Sequence, residues 1–121
     1  MPRTPKPRIW KPGILKQLLQ RDVVDMLVLT LLCRRAMCGY EIRRQLTELT
    51  DQALIFDKLS SPLNRLQRQA FIRQTEVPPD GDAARVYFIA TDEGKKHLQE
   101  MVEDYRAFIS AADRVVDLTR F

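Results

Sequence analysis

Apolar residues follow helical spacing in several stretches of the chain. The segment Asp22–Arg34 is apolar on nearly every side, which predicts a helix at the centre of the domain. A second helix is predicted from Gly39 onward. A third helix is predicted over Pro62–Gln69, with Ser60 or Ser61 as its N-cap, and its outer side carries arginine and amide groups.

Two further stretches are rich in β-branched and aromatic residues. Phe71–Val77 and Val86–Ala90 are predicted to be strands, and the segment Pro78–Ala84 between them is rich in turn-forming residues. The two strands therefore form a β-hairpin directly after the polar-faced helix. The order of three helices, strand, loop and strand is that of a winged helix-turn-helix, an α+β fold that is mainly helical.

A long last helix is predicted from Glu93 to about Leu118. Its apolar residues form one stripe at three- and four-residue spacing: Leu98, Met101, Val102, Tyr105, Phe108, Ile109, Ala112 and Val116. The stripe runs for about seven helical turns, which is more than three small helices and a hairpin should need to cover. We therefore expect these residues to form a homodimer interface. The alternative is that the whole stripe packs inside one chain.

The beginning of the chain is basic and rich in proline. Residues 1–12 contain four of the seven prolines, which predicts an extended arm, because proline lacks the backbone donor that a helix needs. In residues 1–22 six basic residues stand against Asp22 alone, whereas the whole chain has a formal net charge of +4. This arm either contacts DNA or is a free tail. We divide the rest into a winged-helix domain (13–90) and a C-terminal dimerisation helix (91–121).

The third helix and the hairpin carry the candidate DNA-binding residues. In a winged helix-turn-helix the third helix enters the major groove, which is about 12 Å wide and accepts one α-helix. A polar helix face is more often merely solvated, but here it stands before a basic-edged hairpin, in the order that builds a DNA-reading unit. The candidates for reading bases or adjacent phosphates are Asn64, Arg65, Gln67 and Arg68. The remaining DNA-binding candidates are Lys58, Ser60, Ser61, Arg73, Arg85, Arg43 and Arg44.

Candidate catalytic groups are missing from the sequence. An enzyme needs titratable groups that converge on one site, and His97, the only histidine, is predicted to be a solvated surface residue. The sequence has no glycine-rich phosphate loop, no metal-ligand cluster and no nucleophile motif. We therefore expect no catalysis, no cofactor and no metal ion.

The cysteines and the apolar runs bear on the cellular environment. Cys33 and Cys38 have no second pair to complete a zinc site, so we interpret them as a buried small side chain and a surface thiol, with a redox switch as the alternative. The longest apolar run, Met26–Cys33, is far shorter than the roughly 20 residues of a membrane span. No apolar secretory signal is recognisable at the N-terminus. We expect a cytoplasmic, nucleoid-associated protein.

Three segments, in order and correctly spaced, resemble the PadR-type regulators: Gly39–Ile42, Leu59–Ile72 and Arg85–Gly94. The resemblance covers about residues 22–116. It implies a winged-helix dimer whose C-terminal helix contributes the dimer interface, with repression as the usual activity. The sequence departs from the family pattern at Ser60-Ser61, where Tyr-Pro is usual, and at Ala70, where a helix-ending glycine is usual. Both departures fall in the DNA-reading element, so the usual operator preference need not transfer.

The expected function is that of a homodimeric regulator that binds a near-palindromic duplex DNA operator and not a membrane. The rival interpretation is a winged helix that docks a protein partner, which the serines and the loop residues Asp80 and Asp82 would suit. A third interpretation is ligand sensing, with Trp10, Tyr105 or Phe108 lining a cavity at the dimer seam. No other feature of the sequence supports a small-molecule effector.

Overall fold

The computed structural model describes residues 21–119. Within that range the chain forms helix α1 (Arg21–Arg34), strand β1 (Met37–Cys38), helices α2 (Gly39–Leu49) and α3 (Ser60–Arg68), strands β2 (Ile72–Thr75) and β3 (Tyr87–Ala90), and helix α4 (Asp92–Val116). The arm over residues 1–12 and the start of the predicted winged-helix domain (13–20) lie outside the described residues.

Helix α1 is the centre of the domain, as its apolar pattern predicts. Val28, Leu29 and Leu32 are fully buried, and α1 packs against the three other helices and β3. A helix that is apolar on all sides is stable only when it is covered on all sides. Asp25 is the one buried charged residue among those described, with 5% of its surface exposed.

Helices α2 and α3 are amphipathic and place their apolar sides on α1. Ile42 and Leu46 of α2 are buried, as are Pro62, Leu63 and Leu66 of α3. The prediction of a serine N-cap for α3 is wrong, because the cap residue is Leu59 and it makes no side-chain capping bond. Leu59 is itself buried in the core, so the helix begins directly after it and both serines are exposed residues of the first turn.

The C-terminal end of α3 closes in a left-handed turn at Ala70. The Phe71 amide donates to the Leu66 carbonyl at 2.9 Å and the Ala70 amide donates to the Gln67 carbonyl at 3.0 Å. This pair of bonds is a Schellman motif, which requires a positive φ at the residue after the C-cap. Ala70 has a φ of 63°. Alanine therefore adopts here the conformation that the usual glycine adopts without strain.

The three strands form one antiparallel sheet in the order β1-β3-β2. The predicted hairpin is confirmed as β2 and β3, whereas β1 was not predicted, because two residues are too few to show alternation. The prediction of a surface thiol at Cys38 is wrong, since Cys38 lies in β1 and is 2% exposed. Cys33 is only partly buried, and that burial raises the pKa of its thiol.

The start of α4 is fixed to the end of α3. The Thr91 hydroxyl donates to the Ala70 carbonyl at 2.6 Å and accepts from the Gly94 amide at 3.0 Å, which caps the helix. Gly94 lies against the Phe71 carbonyl, and a Cβ placed on it would overlap that oxygen. Neither α4 nor any other helix within residues 21–119 is long and apolar enough to cross a membrane.

The left-handed conformation of Ala70 predicts a stabilising substitution. A residue with a Cβ costs about 1–2 kcal/mol in that conformation, and the greater freedom of glycine in the unfolded chain offsets part of this gain. We expect Ala70→Gly to raise the free energy of unfolding by about 0.5–1 kcal/mol, measured by chemical denaturation at a fixed protein concentration.

The control makes the same chemical change on the exposed side of a helix. Ala107 is an exposed residue within α4, where glycine costs roughly 1 kcal/mol relative to alanine. Ala107→Gly should therefore destabilise the protein. If both substitutions destabilise it equally, Ala70 is not in a left-handed conformation in solution.

Candidate nucleic-acid interface

The exposed side of α3 brings together most of the predicted base-reading residues. We call this surface the α3 outer face; its members, all exposed, are Ser60, Ser61, Asn64, Gln67 and Arg68. Residues three or four positions apart lie side by side on a helix, so Asn64 and Arg68 form its central pair. The sequence of α3 contains no acidic residue. The face therefore offers hydroxyl, amide and guanidinium groups without a carboxylate that would repel phosphate.

Arg65 does not belong to this face, and the prediction that it points outward is wrong. Its Nε donates to Asp25 Oδ2 at 3.0 Å and its Nη2 donates to Asp25 Oδ1 at 2.7 Å. The Arg65 side chain is 21% exposed and that of Asp25 is 7% exposed. Arg65 turns inward because the buried Asp25 carboxylate of α1 needs a charged partner. The hydrogen bonds to Asp25 also raise the pKa of Arg65 above its ordinary value.

The sequence contained a signal for this pair. Asp25 interrupts a stretch that is otherwise apolar on all sides, and a carboxylate buried in such a helix must be paired or neutral. The apolar pattern of α1 does not indicate which cation pairs with Asp25, because Arg65 lies 40 positions away in the chain.

A shallow cleft of about 360 Å³ opens beside the ion pair, between α1, α3 and α4. The prediction of a solvated His97 is wrong, because its ring is partly buried and stacks on Phe71 with 4.1 Å between ring centroids and an interplanar angle of 11°. Residues 21–119 contain no group of three potential metal ligands. Their buried side-chain nitrogens and oxygens all have hydrogen-bond partners. The residues that line the cleft are Asp22, Asp25, Arg65, Leu66, Arg68, Gln69, His97 and Met101.

The loop between β2 and β3, the wing, is organised around Asp82. The Asp82 carboxylate accepts from the Ala84 amide at 2.9 Å and from Arg85 Nε at 3.2 Å. Its own amide donates to the Tyr87 hydroxyl at 2.9 Å. The bond from the Ala84 amide, followed by that from Arg85, lowers the pKa of Asp82. Asp82 is thus a structural residue of the wing, a role that the sequence did not indicate.

Two of the predicted phosphate-binding residues meet at Tyr40. The Arg85 guanidinium lies 4.7 Å from the centre of the Tyr40 ring. Arg44, one helical turn beyond Tyr40, donates its Nε to Glu48 Oε1 at 3.1 Å. The neighbouring Tyr40 hydroxyl, followed by the charge of Glu48, raises the pKa of Arg44. The Tyr40 side chain is itself exposed. The two guanidinium groups therefore lie side by side next to the wing, and each is also in an exposed salt bridge, Arg85 with Asp82 and Arg44 with Glu48.

The other predicted backbone contacts are not part of this cluster. Arg43 Nη1 donates to the Asp57 carbonyl at 3.0 Å, so that side chain ties α2 to the connection before α3. Lys58 is exposed in that connection, and Arg73 is exposed on β2. Lys58 therefore faces solvent just before α3, and Arg73 faces solvent on the strand that follows α3.

The apolar stripe of α4 divides into two parts. Leu98 and Met101 are partly buried against the core of their own chain. Farther along the helix the large apolar side chains are exposed, and Phe108, for example, is 69% exposed. The intrachain alternative therefore holds for the first part of the stripe only. We call the second part the α4 distal stripe; its members are Tyr105, Phe108, Ile109, Ala112 and Val116.

These features define a winged helix-turn-helix regulator with an added C-terminal helix. Residues 28–100 match the Transcriptional regulator PadR-like family, and the chain belongs to that family. Its members are transcriptional regulators and not enzymes. The chain matches no curated protein sequence.

Solved structures of similar proteins show the same fold. A transcriptional regulator from Clostridium thermocellum is 26% identical with a TM-score of 0.69, and the match covers 78% of this chain and 93% of that one. A PadR family transcriptional regulator from Eggerthella lenta is 24% identical with a TM-score of 0.67, covering 86% of each chain. A PadR-like regulator from Bacillus cereus is 20% identical with a TM-score of 0.67, covering 78% and 91%.

The contacts of Asp82 predict a pH-dependent wing. Because the pKa of Asp82 is lowered in the folded chain, its carboxylate should hold the Ala84 amide from neutral pH down through the ordinary aspartate range near about 3.9. The bond should be lost only as the pH falls through that lowered pKa. We expect the Ala84 amide proton signal in NMR spectra to report this titration.

Replacement of the carboxylate tests the same contact at neutral pH. Asp82→Ala should speed hydrogen exchange at the Ala84 amide, whereas Asp80→Ala, an exposed aspartate of the same loop, should leave it unchanged. Equal exchange rates in the two variants would show that Asp82 does not organise the wing.

Proposed function

We propose that the protein is a homodimeric, sequence-specific DNA-binding repressor that places α3 in the major groove. The observation that carries this proposal is the α3 outer face, an exposed helix surface with polar and cationic groups and no acid. Membership of a family of transcriptional regulators supports it. The winged-helix fold supplies the geometry, because its third helix is the element that enters the groove.

Asn64, Gln67 and Arg68 are the residues we assign to base reading. An amide group pairs with adenine through two bonds and a guanidinium pairs with guanine through two bonds, and each such pair discriminates by about 1–3 kcal/mol. Ser60 and Ser61 are at the first turn of the helix, where hydroxyls and backbone amides suit a phosphate. Arg65 is left out, because its guanidinium is bound to Asp25.

Phosphate contacts would come from the cations beside the helix. Arg73 and Lys58 are exposed on the elements next to α3. Arg44 and Arg85 lie together at Tyr40, each in an exposed salt bridge that a phosphate would have to displace. Arg43 has a smaller part, because one of its donors is already bonded to the Asp57 carbonyl. Each phosphate neutralised releases counterions, so affinity should fall steeply with salt. A winged helix that docks a protein through an apolar surface would change little with salt.

The α4 distal stripe is the surface we assign to the homodimer. Its four large side chains are exposed in one chain, and burying a large apolar side chain stabilises by roughly 1.5–3 kcal/mol. A two-fold dimer through this stripe would present two α3 helices to one face of a duplex. Half-sites about one helical turn apart in a near-palindrome are then expected. Occupying such a site within a promoter would exclude polymerase, which is the basis for proposing repression.

The base-reading assignment is tested on DNA that the protein itself selects from a random duplex library. We expect Asn64→Ala with Arg68→Ala to weaken binding to the selected fragment by about 100-fold or more, because two base contacts are lost. Arg114→Ala is the control, since Arg114 is an exposed arginine of α4 outside the assigned face. Unchanged affinity in the double variant, with the dimer intact, would refute the assignment.

Two variants test the dimer assignment, each with one new carboxylate on a different side of α4. Phe108→Glu should shift the protein from dimer to monomer in analytical ultracentrifugation, because it buries an unpaired carboxylate in the proposed interface. Ser110→Glu is the control, since Ser110 is exposed two positions along, on a different side of the helix. A Phe108→Glu protein that remains fully dimeric at micromolar concentration would contradict this interface.

A further inference from the structure

We propose that the Asp25–Arg65 ion pair positions the α3 outer face, and so sets sequence selectivity without touching DNA. This inference rests on the proposed DNA binding. The pair joins the second turn of the central helix to the flank of the reading helix, and both Asp25 carboxylate oxygens are used in it. Arg65 is thus a positioning residue for Asn64 and Arg68, which are the residues assigned to the bases.

The apolar contacts of α3 with the core fix its rotation less sharply than a directional bond does. Pro62, Leu63 and Leu66 are buried through apolar contacts, which are non-directional and tolerate small rotations of a helix about its axis. A guanidinium that binds a carboxylate through two parallel bonds is directional. Because Arg65 lies at the edge of the buried side, its two bonds oppose rotation of α3 in either sense.

A small rotation of α3 is enough to spoil base reading. Side-chain atoms lie about 6 Å from a helix axis, so a rotation of roughly 20° displaces them by about 2 Å. Hydrogen-bond distances tolerate only about half an ångström. A helix that rotates freely over such an angle therefore keeps its phosphate contacts through long, adaptable side chains but loses the alignment of Asn64 and Arg68 with base edges.

The burial of Asp25 favours this role over a purely stabilising one. The carboxylate is almost fully removed from water and Arg65 only in part. The cost of removing the carboxylate from water offsets much of the attraction, so the pair adds little net stability compared with apolar residues of similar size. Asp25 interrupts a helix that is otherwise ideal for apolar packing. What the carboxylate adds is a defined orientation of Arg65.

Replacing the whole pair separates positioning from stability. Asp25→Leu with Arg65→Met removes both charges and leaves no buried unpaired group. We expect this double variant to fold and dimerise, to bind a scrambled duplex of equal length within about twofold of wild type, and to bind the selected fragment about tenfold more weakly, the scale of one lost base contact. The salt dependence should be unchanged, because Arg65 contacts no phosphate. Arg35→Met, at an exposed ion pair with Glu41, is the control.

A conservative replacement tests whether the two parallel bonds from Arg65 to Asp25 are needed. Arg65→Lys keeps the charge but cannot form two parallel bonds, so it should lose selectivity as the double variant does. Full selectivity in either variant overturns the proposal. A salt slope that falls by about one charge in the double variant also overturns it, because Arg65 would then be a phosphate contact.

Hydrogen exchange supplies a measurement that does not depend on DNA. Asp25→Asn should speed exchange at the α3 amides relative to wild type, while those of α2 stay unchanged, and equal α3 rates overturn the proposal. If wild-type protein selects no DNA fragment, the proposed function fails. Unchanged α3 exchange with normal DNA selection instead defeats the positioning role alone.

Discussion

The burial of α1 is the constraint on which the rest of the described structure depends. Three helices and β3 pack on this one helix, which is apolar on nearly every side. Helices α2 and α3, which carry candidate DNA contacts, therefore take their positions from the same support. The exception to apolar packing is Asp25, whose carboxylate cannot remain buried without a partner. Arg65 supplies that partner, so the cost of one buried charge is met by a side chain of the helix proposed to read DNA.

The junction of α3, β2 and α4 links the two proposed activities of the chain. Thr91 bonds the Ala70 carbonyl, and Gly94 lies directly against the Phe71 carbonyl. These close contacts leave little freedom for α4 to change direction relative to α3. If the distal part of α4 forms the dimer, its direction fixes the separation and the angle of the two α3 helices. The spacing of operator half-sites would then follow from a few contacts at the junction of α3 and α4.

Periodicity predicted the helices, the hairpin and the fold class, because a helix or strand of ordinary length repeats its pattern several times. Periodicity failed where the surroundings of a single residue determine its burial, its direction or its backbone conformation. Strand β1 has only two residues, so Cys38 showed no alternation and its burial was not foreseen. Arg65 has the spacing of an outward residue, and only the position of Asp25 in space turns it inward. Ala70 lacks the glycine signal, yet it adopts the same left-handed turn. For Cys38 and Arg65 the information lies in a partner distant along the chain. At Ala70 the turn is local, and alanine adopts a conformation that its own preference disfavours.

The central claim is that the α3 outer face, and not another surface, meets the edges of the bases. The most direct test is NMR titration of the labelled protein with its selected duplex. The account predicts intermolecular contacts from the side chains of Asn64 and Arg68 to major-groove protons, with the Arg65 resonances still reporting its bond to Asp25. Contacts that arise instead from the α4 distal stripe, or an α3 whose outer face remains exposed to water in the complex, would contradict it.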